Sequence, residues 1–537
     1  MSKSAMKMLM LTCTVIALAF VAASPIRSEG SEPKTKIDLA LGGEMPIGFY
    51  IYLYDWKQFK DPSQHDLDDA LEEIVKRGFN YLYIGGLVAD DALWQKILDF
   101  CVKHKVLVVP QLDFAYLSVP SQNVTNLVAK AVPFIRKYKS HPAVLAFSVR
   151  EEPSVQLVPT LKRYYESLLA EVPDAPLYLL HSTIPPLKSS KPPYPDIIGT
   201  DRYPFWWEFG SGGHRATPQY ALNWYRSQLD AYYQLAVERK AEFQAVFTAS
   251  TLEFLMSPEQ IRNSFYPPTI SDKEREQYYH NVEQLAKSKN DGWDEGPNGK
   301  LRVWKYYRPP QNCVRAMAWL AILEGARSQA IWAWAPPRQE MQNFAYRRNG
   351  KEMKEYICSI TGWDGKGTPQ LEEYTRFARE IRRYGKIIRV MAKEYTLADK
   401  SPTGQTVAPP INTNDRNLYW RSFRLEGYKG RMILVVNTQV GMWCEGRNPN
   451  MLSPRDTYRI DDFGNLADYK AFDQPRAVRF QPLEKDMDFL DADNGTLLPA
   501  GDDGSLTLSV MPGGGRFLFM CPKGSNEWQR LKRQFGL

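Results

Sequence analysis

The stretch HPAVLAFSVREEPS, residues 141–154, runs apolar and then ends in Arg150, Glu151, Glu152 and Pro153. Two adjacent carboxylates at the end of an apolar run are costly to desolvate, and the chemistry that suits them there is proton transfer. A proton donor of this kind needs a partner. Asp201 in DIIGTDRYP and Glu253 in ASTLEF are the two candidates, each just beyond an apolar run. Each group also has a purely structural use. Glu151 and Glu152 could serve as rim charges, or as N-terminal carboxylates of a helix starting near Ser154, and Asp201 could bond local backbone amides.

Aromatic residues surround these carboxylates in sequence. Tyr203, Phe205, Trp206 and Trp207 follow Asp201 directly, while Trp332 and Trp334 alternate along SQAIWAWA and are expected on one face. Flat rings offer apolar faces to the C–H side of a sugar ring, although rings also fill cores. His181 ends the run PLYLLHS, where it could face the same site. No HExxH, GxSxG, Walker loop or dinucleotide fingerprint is present, and the six histidines show no metal-ligand spacing. Neither metal nor cofactor is therefore expected.

The elements that must position these groups are eight short runs rich in Val, Ile, Leu and aromatics: IGFYIYLYD, FNYLYIGG, VLVVPQLD, AVLAFSVRE, PLYLLHS, DIIGTDRY, EFQAVFTA and SQAIWAWA. Amphipathic segments such as DLDDALEEIVKRG alternate with them, which predicts an α/β fold, a (β/α)8 TIM barrel whose chemistry sits on the loops after the strand ends. Glu151 and Glu152 then close the fourth strand. Because side chains alternate along a strand, only one of the two is expected to point inward. PQLEEYTRFAREIRRYGKIIRVM reads as the eighth helix. Long insertions at 251–309 and 336–368 follow strands seven and eight.

Beyond residue 393 the pattern changes to NLYWRSFRL, RMILVVNTQ, GSLTLSVM and GRFLFM, short runs separated by glycine turns, as in a small all-β sandwich. The expected organisation is a signal peptide at 1–23, a linker at 24–45, the barrel at 46–392 and the sandwich at 393–537. The leader carries two lysines, an apolar run from Met8 to Val21 and the small residues Ala22, Ala23 and Ser24, which predicts a secreted or periplasmic protein with no membrane span after cleavage. Loss of Lys3 and Lys7 takes the net charge from +7 to +5, too mild and too dispersed to suggest a nucleic-acid partner. Cys101, Cys313, Cys358, Cys444 and Cys521 contain no CxxC pair, so a dense disulfide framework is excluded while one or two bridges are not. Oligomeric state is not legible.

HPAVLAFSVREEP resembles the strand-four segment of the large clan of (β/α)8 glycoside hydrolases that includes β-galactosidase-type and cellulase-type enzymes. There a His-Pro step and an apolar run lead into Asn-Glu-Pro or Asp-Glu-Pro. DIIGTDRYP, and YYRPPQNCVRAMAWLAILEGARSQAIWAWA, resemble strand six, helix seven and strand eight of poorly characterised glycosidase-like barrels. The resemblance implies hydrolysis of a carbohydrate, with Glu152 as general acid/base. It also implies a tryptophan from strand eight flooring the sugar site, and a glutamate nucleophile at the end of strand seven. This chain departs from the pattern twice. Glu151 replaces the residue that commonly bonds the sugar 2-hydroxyl, and an ionised glutamate accepts but cannot donate. AVFTAS, at the end of strand seven, holds no carboxylate, which leaves Glu253 or Asp201 for the second role. A gap of roughly 5 Å between the two carboxyls would imply retention and about 6.5–9.5 Å inversion. The competing expectation is a carbohydrate-binding protein that keeps the barrel and cleft without turnover.

Overall fold

The computed structural model describes residues 36–52, 67–85, 91–112, 123–204, 218–249, 252–256, 301–306, 309, 311–334, 347–348, 351–352, 360–361, 367–396, 399, 401–402, 404–415, 417–440 and 474–537. The expected leader, together with Phe205, Trp206 and Trp207, lies outside them. Eight parallel strands form one sheet: β1 (Ile47–Tyr52), β2 (Tyr81–Gly85), β3 (Leu107–Pro110), β4 (Phe147–Glu151), β5 (Leu177–His181), β6 (Ile197–Asp201), β7 (Glu242–Thr248) and β10 (Ser328–Trp332). Their order is β3-β2-β1-β10-β7-β6-β5-β4, and the bridges Val108–Val144 and Gln111–Ser148 join the two ends into a closed barrel. All eight apolar runs read from the sequence are the barrel strands. β8 (Leu252–Met256) and β9 (Leu301–Tyr306) make a separate antiparallel ribbon after β7, and β11 (Arg347–Arg348) and β12 (Lys351–Glu352) make another after β10.

Alternation along the strands divides the core in two. Phe49, Leu82, Val108, Phe147, Leu179, Ile198 and Phe247 face the surrounding helices, whereas Tyr50, Tyr81, Tyr83, Val109, Tyr178, Ile197, Val246 and Ala330 fill the interior. The bottom is plugged by α1 (Lys36–Leu41), whose Ile37 and Leu41 join the inner cluster while Lys36 Nζ donates to Val144 O at 2.8 Å. The segment expected as a linker up to residue 45 is therefore part of the barrel over its last ten positions. A six-residue helix is too short to announce itself by periodicity.

Outside the sheet lie α2 (Leu67–Lys76), α3 (Asp91–His104), α4 (Val124–Tyr138), α5 (Val158–Glu171), α6 (Ile184–Ser189), α7 (Pro218–Glu238), α8 (Gln311–Leu323), α9 (Pro369–Arg382) and α10 (Gly385–Val390). The single eighth helix expected from sequence is thus two. It breaks before Gly385, where an added Cβ would lie 2.8 Å from Met45 N, so the chain must bend against the backbone leading into β1. Among the described residues no helix is long and apolar enough to cross a membrane.

The C-terminal region contains a six-stranded and a three-stranded antiparallel sheet. The larger is built from β13 (Ala392–Lys393), β15 (Leu418–Arg424), β16 (Arg431–Asn437), β18 (Met487–Asp491), β19 (Thr496–Leu497) and β21 (Gly515–Pro522). The smaller holds β14 (Ile411–Asn412), β17 (Arg476–Pro482) and β20 (Leu506–Val510). Ile433, Val435, Val478, Phe480, Leu508 and Leu518 form the core between them. The other face of the larger sheet, through Met432, Leu434, Val436, Phe517 and Phe519, joins the barrel's outer core. Buried on both faces, Met432–Val436 reads as continuous apolar sequence rather than alternation. The same docking explains α8, all 13 residues of which are buried between barrel and sandwich. Within that interface Arg315 pairs with Glu373 at 2.8 Å, and Glu324 meets Lys393 and, at 3.1 Å, Arg226.

Candidate active site

At the carboxyl ends of the barrel strands the decisive local feature is an extra residue in β4. Ser148 is in register with Tyr178 but Arg150 with Leu179 and Glu151 with Leu180, so Val149 is bulged out of the pairing. In a parallel pair, residues in register share a face. Tyr178 and Leu180 face the barrel interior and Leu179 the helices, which turns Glu151 inward and Arg150 outward. Bulges are a common means of re-aiming a side chain beside a functional site.

Glu152 follows with φ of +45°, in the left-handed region that non-glycine residues seldom occupy, its N–H donating to Leu180 O at 2.9 Å. Its side chain is exposed. On β6, Asp201 shares the inward phase of Ile197 and is only 5% exposed. The Asp201 carboxyl hydrogen-bonds the Glu152 carboxyl. Burial first, then that bond and the charges of Glu152 and Glu151, hold Asp201 well above the ordinary aspartate range. Two carboxyls in such contact cannot both be ionised without strong repulsion, so Asp201 keeps its proton and donates it to Glu152. The expectation that only one of the two adjacent glutamates reaches the mouth is corrected: Glu151 has the inward phase, while Glu152 lies just past the end of β4 with left-handed backbone, where strand alternation no longer applies, and its carboxyl meets Asp201.

The aromatic side is also partly rearranged. Tyr203 and Trp332, both half-buried, stack with centroids 6.1 Å apart and planes 26° from parallel. Trp332 is in register with Thr248, which shares the inward phase of Gln244 and Val246. Trp334 does not share this face. It lies past the end of β10, where the period of two no longer holds, and is fully buried edge-on to Phe49 at 4.9 Å in the layer between sheet and helices.

His181 is likewise turned away from the mouth. It has the outward phase of Leu177 and Leu179, its carbonyl accepts from the Tyr232 hydroxyl of α7, and burial, aided by the Arg239 charge, pushes its imidazole down to about 3. Arg202, next to Asp201, also points outward, over the rings of Trp224 and Tyr232 and to Gln228 Oε1 at 2.9 Å. Glu253 sits on the β8–β9 ribbon opposite Trp304, outside the barrel sheet, and its side chain is not among those described. At the end of β7 the inward residue is Thr248. Among the described residues no group of three or more His, Cys, Asp or Glu has the arrangement to hold a metal ion.

Beneath the carboxyls lies a layer not anticipated from sequence. Tyr50 and Tyr83 stack at 3.9 Å, Tyr50 Oη lies 3.1 Å from Tyr178 Oη, and Tyr83 Oη donates to Ser148 Oγ at 2.7 Å. Gly199 makes room for this layer, since a Cβ there would lie 2.1 Å from Tyr178 Oη. The available signal was tyrosine at alternate positions, inward phase, in IGFYIY and YLYIG.

No family model matches the chain, and no curated protein matches it. Among solved structures it is similar to a GH2 β-galacturonidase from Eisenbergiella tayi (15% identity, 63% of this chain and 51% of that one, TM-score 0.36). It is also similar to a catalytic mutant of a GH42 β-galactosidase from G. stearothermophilus (11%, 64% and 57%, TM-score 0.42). An Anoxybacillus α-amylase is matched along its whole length (9%, 92% and 100%, TM-score 0.41). The chain thus spans about half the length of the first two.

Proposed function

We propose that the chain is an exported glycoside hydrolase acting on an oligosaccharide or polysaccharide. The observation that carries this reading is the hydrogen-bonded pair at the mouth of the barrel of a buried Asp201, whose carboxyl is held well above the ordinary aspartate range by burial, and an exposed Glu152. The exposed member delivers the proton to the glycosidic oxygen as the C–O bond breaks, and the buried member, which resists ionisation, supplies it. Tyr203 and Trp332 support the apolar face of the sugar. The left-handed backbone at Glu152 is a local strain of the kind that collects at functional sites. The leader at 1–23 supports export.

Contact between Asp201 and Glu152 is closer than the roughly 5–9.5 Å that separates the acid from the nucleophile or base in two-carboxylate glycosidases. Asp201 therefore acts through Glu152 rather than on the opposite face of the sugar. The second carboxylate falls to Glu253, on the ribbon that follows β7. Thr248 in the inward place at the end of β7 favours a second reading, a carbohydrate-binding protein without turnover. A broad glycan panel assayed with wild type and Glu152→Gln separates the two. Hydrolysis lost in Glu152→Gln fits the enzyme, equal activity in both proteins removes this mechanism, and tight binding without products over long incubation selects the binding protein.

A further inference from the structure

Among the described residues, the inward positions at the upper ends of the barrel strands are Gln111, Glu151, Leu180, Asp201, Thr248 and Trp332. Two of them carry carboxyls and none carries a positive charge. Glu152, which hydrogen-bonds Asp201, adds a third carboxyl. The cations adjacent in sequence take the other face: Arg150 has the outward phase of Leu179, and Arg202 lies over the rings of Trp224 and Tyr232.

One atom in this acidic ring calls for a ligand. Asp201 is 5% exposed, and its Oδ1 has no hydrogen-bond partner among the described residues. The proton of Asp201 is committed to Glu152, so Oδ1 can only accept, and a buried acceptor without a donor is costly. A molecule that fills the mouth gains most by bringing a donor to that oxygen. A sugar hydroxyl brings one proton and no charge. A protonated ring amine brings three donors and a positive charge, enough for Oδ1 and for a carboxylate of the mouth at once. A uronate brings a further carboxylate, which the acidic groups already present repel. Tyr203 and Trp332, stacked at the same mouth, offer their faces to the apolar side of the sugar, and an aromatic face also attracts a cation.

We propose that the mouth selects amino sugars in their ammonium form, with the Glu151 carboxyl and Asp201 Oδ1 as the acceptors that set this specificity. N-acetylated sugars, which bring a neutral amide in place of the ammonium, and uronates are the classes it disfavours. The inference deepens the glycosidase reading and rests on the mouth being its glycan site.

The test is an NMR titration of the full-length protein, on the acid side of neutrality where the ring amine carries its proton. Two series of monosaccharides serve as probes, so that the unknown linkage plays no part: glucosamine, glucose, N-acetylglucosamine and glucuronate, and the four galactose counterparts. In at least one series the amine binds about tenfold or more tighter than its neutral parent, the gain expected for a hydrogen bond to a charged group. Glu151→Gln, which keeps the shape of the side chain and removes its charge, brings the amine down towards parity with the parent. Trp332→Ala weakens amine and parent alike, which places both in the mouth. A parent, N-acetyl sugar or uronate bound as tightly as the amine in both series overturns the proposal and leaves the glycan reading standing. An advantage that survives Glu151→Gln undiminished also overturns it, because the ammonium is then held elsewhere. Should that variant not fold, Glu151→Ala replaces it with the same two outcomes. If no member of either series binds, the proposal and the glycan reading of the mouth fall together.

Discussion

The carboxyl of Asp201, 5% exposed, hydrogen-bonds the carboxyl of the exposed Glu152 at the mouth of the barrel, which joins the end of β6 to the residue that follows β4. Burial makes Asp201 the member that resists ionisation.

Asp201→Asn tests the consequence for stability as well as for activity. A carboxyl held above its unfolded value of 3.8 favours the folded state at low pH, and that contribution is lost as pH climbs from 3.8 through the raised folded value. Removing the ionisable group flattens the decline. Thermal unfolding between pH 4 and 8 should show Asp201→Asn gaining on wild type as pH rises, while glycan hydrolysis falls by about 10²–10⁴-fold through loss of the proton supply. A parallel decline in both proteins would mean that Asp201 ionises normally.

Gly199→Ala is expected to damage both the core and the site. The added Cβ would lie 2.1 Å from Tyr178 Oη, 2.6 Å from its Cζ and 2.9 Å from Leu180 Cδ1, in a barrel interior with no slack. Overpacking of this kind costs about 1–3 kcal/mol. Denaturant unfolding measures that cost. Retained stability would show that the phenol moves freely.

The barrel was legible because each of its strands is a compact apolar run bounded by turns, and a β-sandwich beyond residue 393 was legible from its glycine-punctuated short runs. The phase of side chains at the strand ends was not. Val149 is as apolar as its neighbours, so nothing in AFSVREE marks it as the extra residue that turns Glu151 inward. Trp334 was misplaced because alternation was extended two residues beyond the end of β10, and His181 because the last residue of β5 has the outward phase. The break at Gly385 depends on contact with residues 44 and 45, more than 300 positions earlier. Glu152 and Asp201 were legible as candidates, but their contact is a property of the closed barrel.

Trp332 and Trp334 should respond in opposite ways to alanine. Trp332 is half-buried against Tyr203, so Trp332→Ala should weaken glycan binding, seen as a raised KM or Kd of about 2–12-fold from the loss of ring stacking, with little change in Tm. Trp334 is fully buried against Phe49, and its removal should cost about 3–5 kcal/mol of stability. Calorimetric binding and thermal melts on both variants make the comparison. A collapse of stability in Trp332→Ala would assign that ring to the core.

The junction between barrel and sandwich supplies the last test. Lys393 and Glu324 are both fully buried and paired, with Asp230 at 2.6 Å from Lys393 and with Arg226 and Arg421 beside Glu324. Burial pushes the Glu324 carboxyl up, but the charges of Lys393, Arg421 and Arg226 outweigh it and hold the group below 4.5. Its contribution to stability is therefore present above that value and is lost as pH falls through the lowered one. Lys393→Met leaves Glu324 with weaker compensation in the same buried place, a loss of about 3–5 kcal/mol. The acid side of the stability profile should flatten in that variant, because Glu324 then takes up its proton nearer to neutrality. If Lys393→Met instead melts at the wild-type temperature with an unchanged acid limb, the lysine contributes packing alone and the junction is held by its apolar faces.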